Sequence, residues 1–145
     1  MGKRDKSGYE KFEKRVKEIL GKDFDRGVSE DTLVKYRQYL EGHLKMPCIL
    51  TGIEDFRWEE FYVFGPGSKK EYEELKKTQP SYTDQYELIG FEDELGGIEE
   101  GLMVKVKRIK DRRRFVLPLG ELKAVDKKSD NYQLVNDYAV WIVNY

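Results

Sequence analysis

Apolar residues first recur along the chain every three or four positions. Phe12, Val16, Ile19 and Leu20 fall at i, i+4, i+7 and i+8, with Lys and Glu filling the opposite face. That spacing predicts a helix over Ser7–Leu20, with Ser7 and Glu10 as a capping box and Gly21 as its terminator. A second helix is expected from Ser29. Glu30 and Asp31 suit the positive end of its dipole, and Val28 is placed to staple against Leu33. Leu33, Tyr36, Leu40 and Leu44 line one face until Met46-Pro47 stops it.

From Cys48 the period changes to two. CILTGIE and WEEFYVFG read as strands joined near Asp55, and Gly65-Pro66-Gly67 breaks the chain. Ser68 and Glu71 then suit a short helix through Lys77, ended by Pro80. YELIGFED from Tyr86 is the next strand. In GLMVKVKRI, Leu102, Val104 and Val106 face one way while Met103, Lys105 and Lys107 face the other, as in a half-buried antiparallel strand. RFVLPL, ended by Pro118, and KAVD follow. Asp130 with Gln133 resembles a cap for a final helix with the stripe Leu134, Tyr138, Trp141 and Tyr145, which at helical spacing reads as core.

The expected fold class is α+β: a small antiparallel, SH3-like, partly closed β-sheet or barrel with two N-terminal helices, a short inserted helix and a C-terminal helix. One domain is expected, with a helical region over 1–45 and a β-rich core over 46–126. The core carries a helical insertion at 68–78, and the closing helix spans 129–145.

Composition narrows the function. Lys and Arg number 27 against 28 Asp and Glu, a net charge of −1, which argues against a general nucleic-acid binder. A single Cys, Cys48, excludes an internal disulfide, and a single His, His43, excludes a multi-histidine zinc site. No signal-peptide core or membrane span is legible, so a cytoplasmic protein without membrane contact is expected.

The candidate chemistry is sparse. Gly65–Glu71 lacks phosphate-loop spacing and reads as a turn with a helix cap. Asp23 to Gly27 begins like a calcium-binding EF-hand, but the glycine comes one place early and Val34 occupies the twelfth position, so a linker between helices is the better reading. His43 and Cys48 have no orienting third group, and no pair of carboxylates stands out as an acid–base couple, so no enzyme is expected. The loop after the third strand is the metal candidate. Glu92, Asp93, Glu94, Glu99 and Glu100 crowd carboxylates around glycines, as hard cations require. The basic run from Lys105 to Arg114 is the candidate for an anionic or protein partner, with Arg112 and Arg113 at its hairpin tip.

The closing residues carry a resemblance. RRFVLPLGELKAVD, then a helix with Asp137, Tyr138 and Trp141, together with Met46-Pro47-Cys48 and YELIGF, resembles the small bacterial family typified by the cyanobacterial heterocyst-linked calcium-binding protein. The match covers roughly residues 45–55 and 84–145. It implies a compact sheet-plus-helix domain and Ca²⁺ binding through surface acidic groups. In the closing part of the matched segment, the aspartates Asp126, Asp130 and Asp137 could serve as oxygen donors, and Asp126 joins the acidic loop as a candidate ligand. The expectation is a non-enzymatic cytoplasmic binding protein with weak Ca²⁺ affinity. The alternative is a protein-interaction adaptor on an SH3-like barrel, its partner unknown.

Overall fold

The structure, a computed structural model, describes residues 2–93, 97 and 100–145, with backbone only for residues 2–7. Helix α1 runs over Gly2–Leu20, so its backbone begins before Ser7, and Gly21 ends it with a φ of 58°. Phe12, Val16 and Leu20 are buried along its inner stripe. A 3₁₀ turn, Gly21–Arg26, seats Phe24 and leads to α2, Glu30–His43. Ser29 caps α2 as expected. Its Oγ accepts the Thr32 N–H (3.2 Å) while Thr32 Oγ1 accepts the Ser29 N–H (2.8 Å).

Five strands form one antiparallel sheet: β1 Ile49–Gly52, β2 Gln85–Phe91, β3 Met103–Arg108, β4 Arg114–Pro118 and β5 Leu122–Ala124. Their spatial order is β4-β3-β2-β1-β5. The α+β class is the one expected, and the sheet stays open, with β4 and β5 as its two edges. On its inner face lie Leu50, Tyr86, Leu88, Val104, Val106 and Ala124, all buried. Helix α5, Asp130–Asn144, packs on β5 and on the 3₁₀ turn Leu119–Glu121, and α1 packs against both α2 and α5. The cap of α5 is Ser129, one residue before the expected Asp130, and its Oγ accepts the Tyr132 N–H (3.3 Å). Asp130, in the first turn, faces Lys45 instead (3.1 Å).

The aromatic stripe of α5 is core. Tyr138 and Trp141 are fully buried, and Tyr36 of α2 meets them at ring distances of 5.2 and 5.0 Å. Such pairs add about 0.5–1.5 kcal/mol beyond their burial. The Tyr36 hydroxyl and the Trp141 indole N–H are buried with no hydrogen-bond partner among the described residues. An unpartnered buried hydroxyl contributes little net stability. Tyr36→Phe is therefore expected to change urea-unfolding stability by less than about 0.5 kcal/mol. A loss above about 1 kcal/mol would mean that the hydroxyl has a partner.

WEEFYVFG is helical where a strand was expected: a 3₁₀ turn, Arg57–Glu59, continues into α3, Glu60–Val63. One buried carboxylate explains the difference. Glu59 accepts the backbone N–H groups of Phe56 (3.2 Å) and Tyr82 (2.8 Å) and the hydroxyls of Ser81 (2.7 Å) and Tyr72 (2.6 Å). Trp58 donates its indole N–H to the Pro80 carbonyl (2.6 Å). The backbone must wind around Glu59 to offer those donors, which extended pairing cannot do. The inserted helix α4, Lys69–Leu75, is capped by Ser68 as expected (Glu71 N–H to Ser68 Oγ, 3.0 Å).

Candidate functional site

The β2–β3 loop departs from the sheet where the Glu92 N–H donates to the Met103 carbonyl (2.9 Å). Arg37, reaching from α2, holds its first half. The guanidinium donates to the carbonyls of Glu92 and Asp93, each at 3.2 Å, and stands 3.6 Å from the Asp93 carboxylate. Lys105 of β3 lies 3.8 Å from the Glu92 carboxylate. Two of the expected metal ligands thus already face basic side chains. Glu94 and Glu99 lie outside the described residues. At the far end, the Gly101 N–H closes onto the Gly97 carbonyl (2.9 Å), and Gly101 takes a φ of 70°. A side chain there would collide with the Tyr138 hydroxyl, which accepts the Leu102 N–H (2.8 Å). Gly101 therefore fixes where Glu100 leaves the fold.

Glu100 is exposed and, among the described residues, has no basic group within salt-bridge distance. Its carboxylate belongs with others from distant segments. Glu121, in the turn between β4 and β5, has its pKa raised by partial loss of water and then by the charges of Glu100, Glu60 and Glu54. The Ile53 N–H to Glu121 carbonyl bond (3.0 Å) ties the two backbone segments together. Three carboxylates from separate segments thus act on Glu121. Glu54, Glu60 and Glu121 also border a cleft of about 610 Å³ between α3, the 3₁₀ turn and α5. Nothing in their sequence spacing marks them as a group.

The sign of the Glu121 effect is testable. A raised carboxylate pKa means its contribution to stability is full below the ordinary value and lost as pH rises through the raised one. Glu121→Gln is therefore expected to be more stable than the parent at neutral pH. Because the side chain reaches solvent, the gain is about 0.5 kcal/mol or less, and it shrinks with salt. The gap should close near pH 4, below the ordinary glutamate value of 4.5. Thermal melts at both pH values check this, and a variant less stable at neutral pH would contradict it.

The structure does not bring Asp126 to the loop. It leaves the end of β5, with β1 lying between β5 and β2. Its Oδ1 accepts the Lys128 N–H (3.0 Å) and its carbonyl accepts the Ser129 hydroxyl (2.7 Å), the geometry of a turn leading into α5. Asp130 faces Lys45, and Asp137 is held by Arg15 through two bonds of 2.7 and 3.0 Å. Among the described residues no three His, Cys, Asp or Glu side chains converge in a ready-made metal cage.

The basic run divides in two. Arg112, with a φ of 63°, and Arg113 sit exposed at the β3–β4 hairpin tip, and Arg113 lies 3.3 Å from Asp111. Arg108 is instead fully buried. It grips Asp111 through two bonds (3.0 and 2.6 Å) and Asp84 (3.0 Å), and donates to the carbonyls of Lys76, Lys77 and Gln79. The Arg108 hydrogen bonds hold the Asp111 carboxyl down at about 2. This residue belongs to the architecture rather than to a surface patch. Cys48 is buried and its thiol is pushed up to about 11 by desolvation, and His43 stacks on Tyr39 at the surface end of α2 (3.8 Å).

The fold defines a small α+β protein built on one open antiparallel sheet, with carboxylates gathered near the cleft beside Glu121. The family model described as calcium binding matches residues 68–142, slightly more than half of the chain. The chain belongs to this calcium-binding family, which is not an enzyme family. Two solved structures share the fold. The crystal structure of Anabaena CcbP is 19% identical, covers 92% of this chain and 89% of that chain, and has a TM-score of 0.58. A calcium-binding protein in its calcium-binding form is also 19% identical, with coverages of 92% and 90% and a TM-score of 0.56. No curated protein matches the chain. Among the described residues no helix is long and apolar enough to cross a membrane.

Proposed function

We propose that the chain is a non-enzymatic Ca²⁺-binding protein whose ion is held weakly by surface carboxylates around the β2–β3 loop. The candidate loop residues are Glu92, Asp93, Glu94, Glu99 and Glu100. The single observation that carries the reading is that Glu121, raised first by burial, also feels the negative charges of Glu100, Glu60 and Glu54 from separate segments of the chain. A divalent cation near these groups relieves that repulsion, and their oxygens are the hard donors Ca²⁺ prefers. Family membership supports the same cation.

The donors come from separate segments of the chain and reach water, so the expected dissociation constant lies on the order of 10⁻⁴–10⁻³ M, the weak end of protein calcium sites. Glu92 and Asp93 face Lys105 and Arg37, which makes Glu100 the stronger contributor. Asp126 stands apart, beyond β1, and serves as the internal comparison. Equilibrium dialysis with radioactive Ca²⁺ is expected to show the Glu100→Gln, Glu121→Gln pair weakened about tenfold, which is about 1.4 kcal/mol. Asp126→Asn should bind within about twofold of the parent, a change of under about 0.5 kcal/mol. Equal binding by parent and double variant would remove this site.

A further inference from the structure

The cleft between α3, the Leu119–Glu121 turn and α5 has a second property besides its acids. Its wall is apolar. Ile53 and Val143 are 43% and 79% exposed, and Ala139 and Val140 of α5 line it beside them. Its rim carries Glu54, Asp55, Glu60 and Glu121 against one basic residue, Arg57. Among the described residues none of these five has an opposite charge within salt-bridge distance, whereas elsewhere Arg15, Lys35, Arg37 and Arg108 are all paired. At about 610 Å³ the cleft falls in the size range of ligand-binding pockets.

An apolar floor inside an unbalanced acidic rim fits one kind of occupant. It must bring aliphatic side chains and positive charge together, at a spacing that lets one enter while the other meets the rim. We propose that this cleft docks a basic amphipathic segment of a partner protein, with aliphatic side chains seated against Ile53, Val140 and Val143 and flanking Lys or Arg on Glu54, Glu60 and Glu121. A simple inorganic cation leaves the apolar wall wet, and a neutral apolar ligand leaves the rim unbalanced. Only the combined chemistry covers both. The inference rests on the cleft and not on calcium binding, so it is tested with calcium absent.

The probe is a fluorescein-labelled peptide of alternating Lys and Leu, titrated with the full chain in EDTA and followed by fluorescence polarisation. The comparison probes are an all-Lys peptide of the same length and a Glu–Leu counterpart. Saturable binding of the Lys–Leu peptide is expected, at least tenfold tighter than either comparison and weaker at high salt. Amide shifts should centre on Ile53, Glu121 and Val143. Glu60→Lys with Glu121→Lys should lower affinity at least tenfold, while Glu30→Lys, the same kind of charge change on exposed α2, should leave it within twofold. Far-ultraviolet dichroism confirms that the variants are folded. Val143→Ser, which keeps every charge, should lower affinity severalfold. No saturable binding, equal binding of the all-Lys peptide, or equal loss in Glu30→Lys would overturn the proposal.

Discussion

Replacing Arg108 with methionine is expected to lower the unfolding free energy by about 3–5 kcal/mol, the cost of removing one partner from a buried ion pair. Methionine keeps much of the volume but none of the five donors. The variant leaves Asp84 and Asp111 without their guanidinium, and it leaves the carbonyls of Lys76, Lys77 and Gln79 without the donor that ends α4. Arg108→Lys should fall between the two, because an ammonium cannot make the two-pronged contact with Asp111. Urea unfolding monitored by tryptophan fluorescence measures the change, with the slope expected to stay constant. Acid supplies a second signature. A depressed carboxylate pKa gives stability that is present above the ordinary value of 3.8 and lost as pH falls through about 2. The parent should lose that contribution over this window, and Arg108→Met should have less to lose, keeping only the part that Arg113 supplies. A variant within about 1 kcal/mol of the parent would show that Arg108 is dispensable.

Glu59→Ala is the second large effect. Two backbone N–H groups, those of Phe56 and Tyr82, lose their buried acceptor, at about 1–3 kcal/mol each. A total of about 3 kcal/mol or more follows. Glu59→Gln separates shape from charge. An amide oxygen can still serve the two N–H groups, while its NH₂ meets the hydroxyls of Tyr72 and Ser81, which can rotate to accept. The expected cost is about 1–2 kcal/mol, because the four charge-assisted bonds become neutral while the geometry is kept. Similar losses for Gln and Ala would mean that the negative charge itself, not the acceptor geometry, is required. The two residues act together on one region. Glu59 winds the 3₁₀ turn against Ser81 and Tyr82, and Arg108 clamps the end of α4 beside it, so residues 56–84 rest on two buried charges of opposite sign.

Local signals made most of the elements readable. The Ser29 cap, the α2 face of Leu33, Tyr36 and Leu40, and the alternation in β3 all follow from spacing that short-range geometry enforces. Arg108 was legible too. It has the same parity as Leu102, Val104 and Val106, so the alternation that buries those residues also buries it, yet its place in a basic run suggested a surface. Residues 58–65 misled for the opposite reason. Aromatic and β-branched residues fit a strand locally, and only donors from Tyr72, Ser81 and Tyr82 make the segment wind around Glu59. The acidic site was half readable. Glu92–Glu100 stands out by local charge, whereas the charges of Glu54, Glu60 and Glu100 reach Glu121 only through the fold. No spacing rule connects positions so far apart in the chain.

The family match over residues 68–142 takes in both the acidic loop and the closing residues Arg114 to Trp141. Leu117, Leu119 and Trp141 are buried in the core.

Titrating ¹⁵N-labelled protein with CaCl₂ tests the central proposal most directly, with MgCl₂ at equal ionic strength as reference. Binding at the crowded carboxylates predicts saturable amide shifts concentrated at Glu100, Gly101 and Glu121, with smaller shifts at Glu54 and Glu60 and almost none at Asp126. Spectra unchanged at millimolar Ca²⁺, or shifts centred on Asp126 and Asp130 instead, would contradict it.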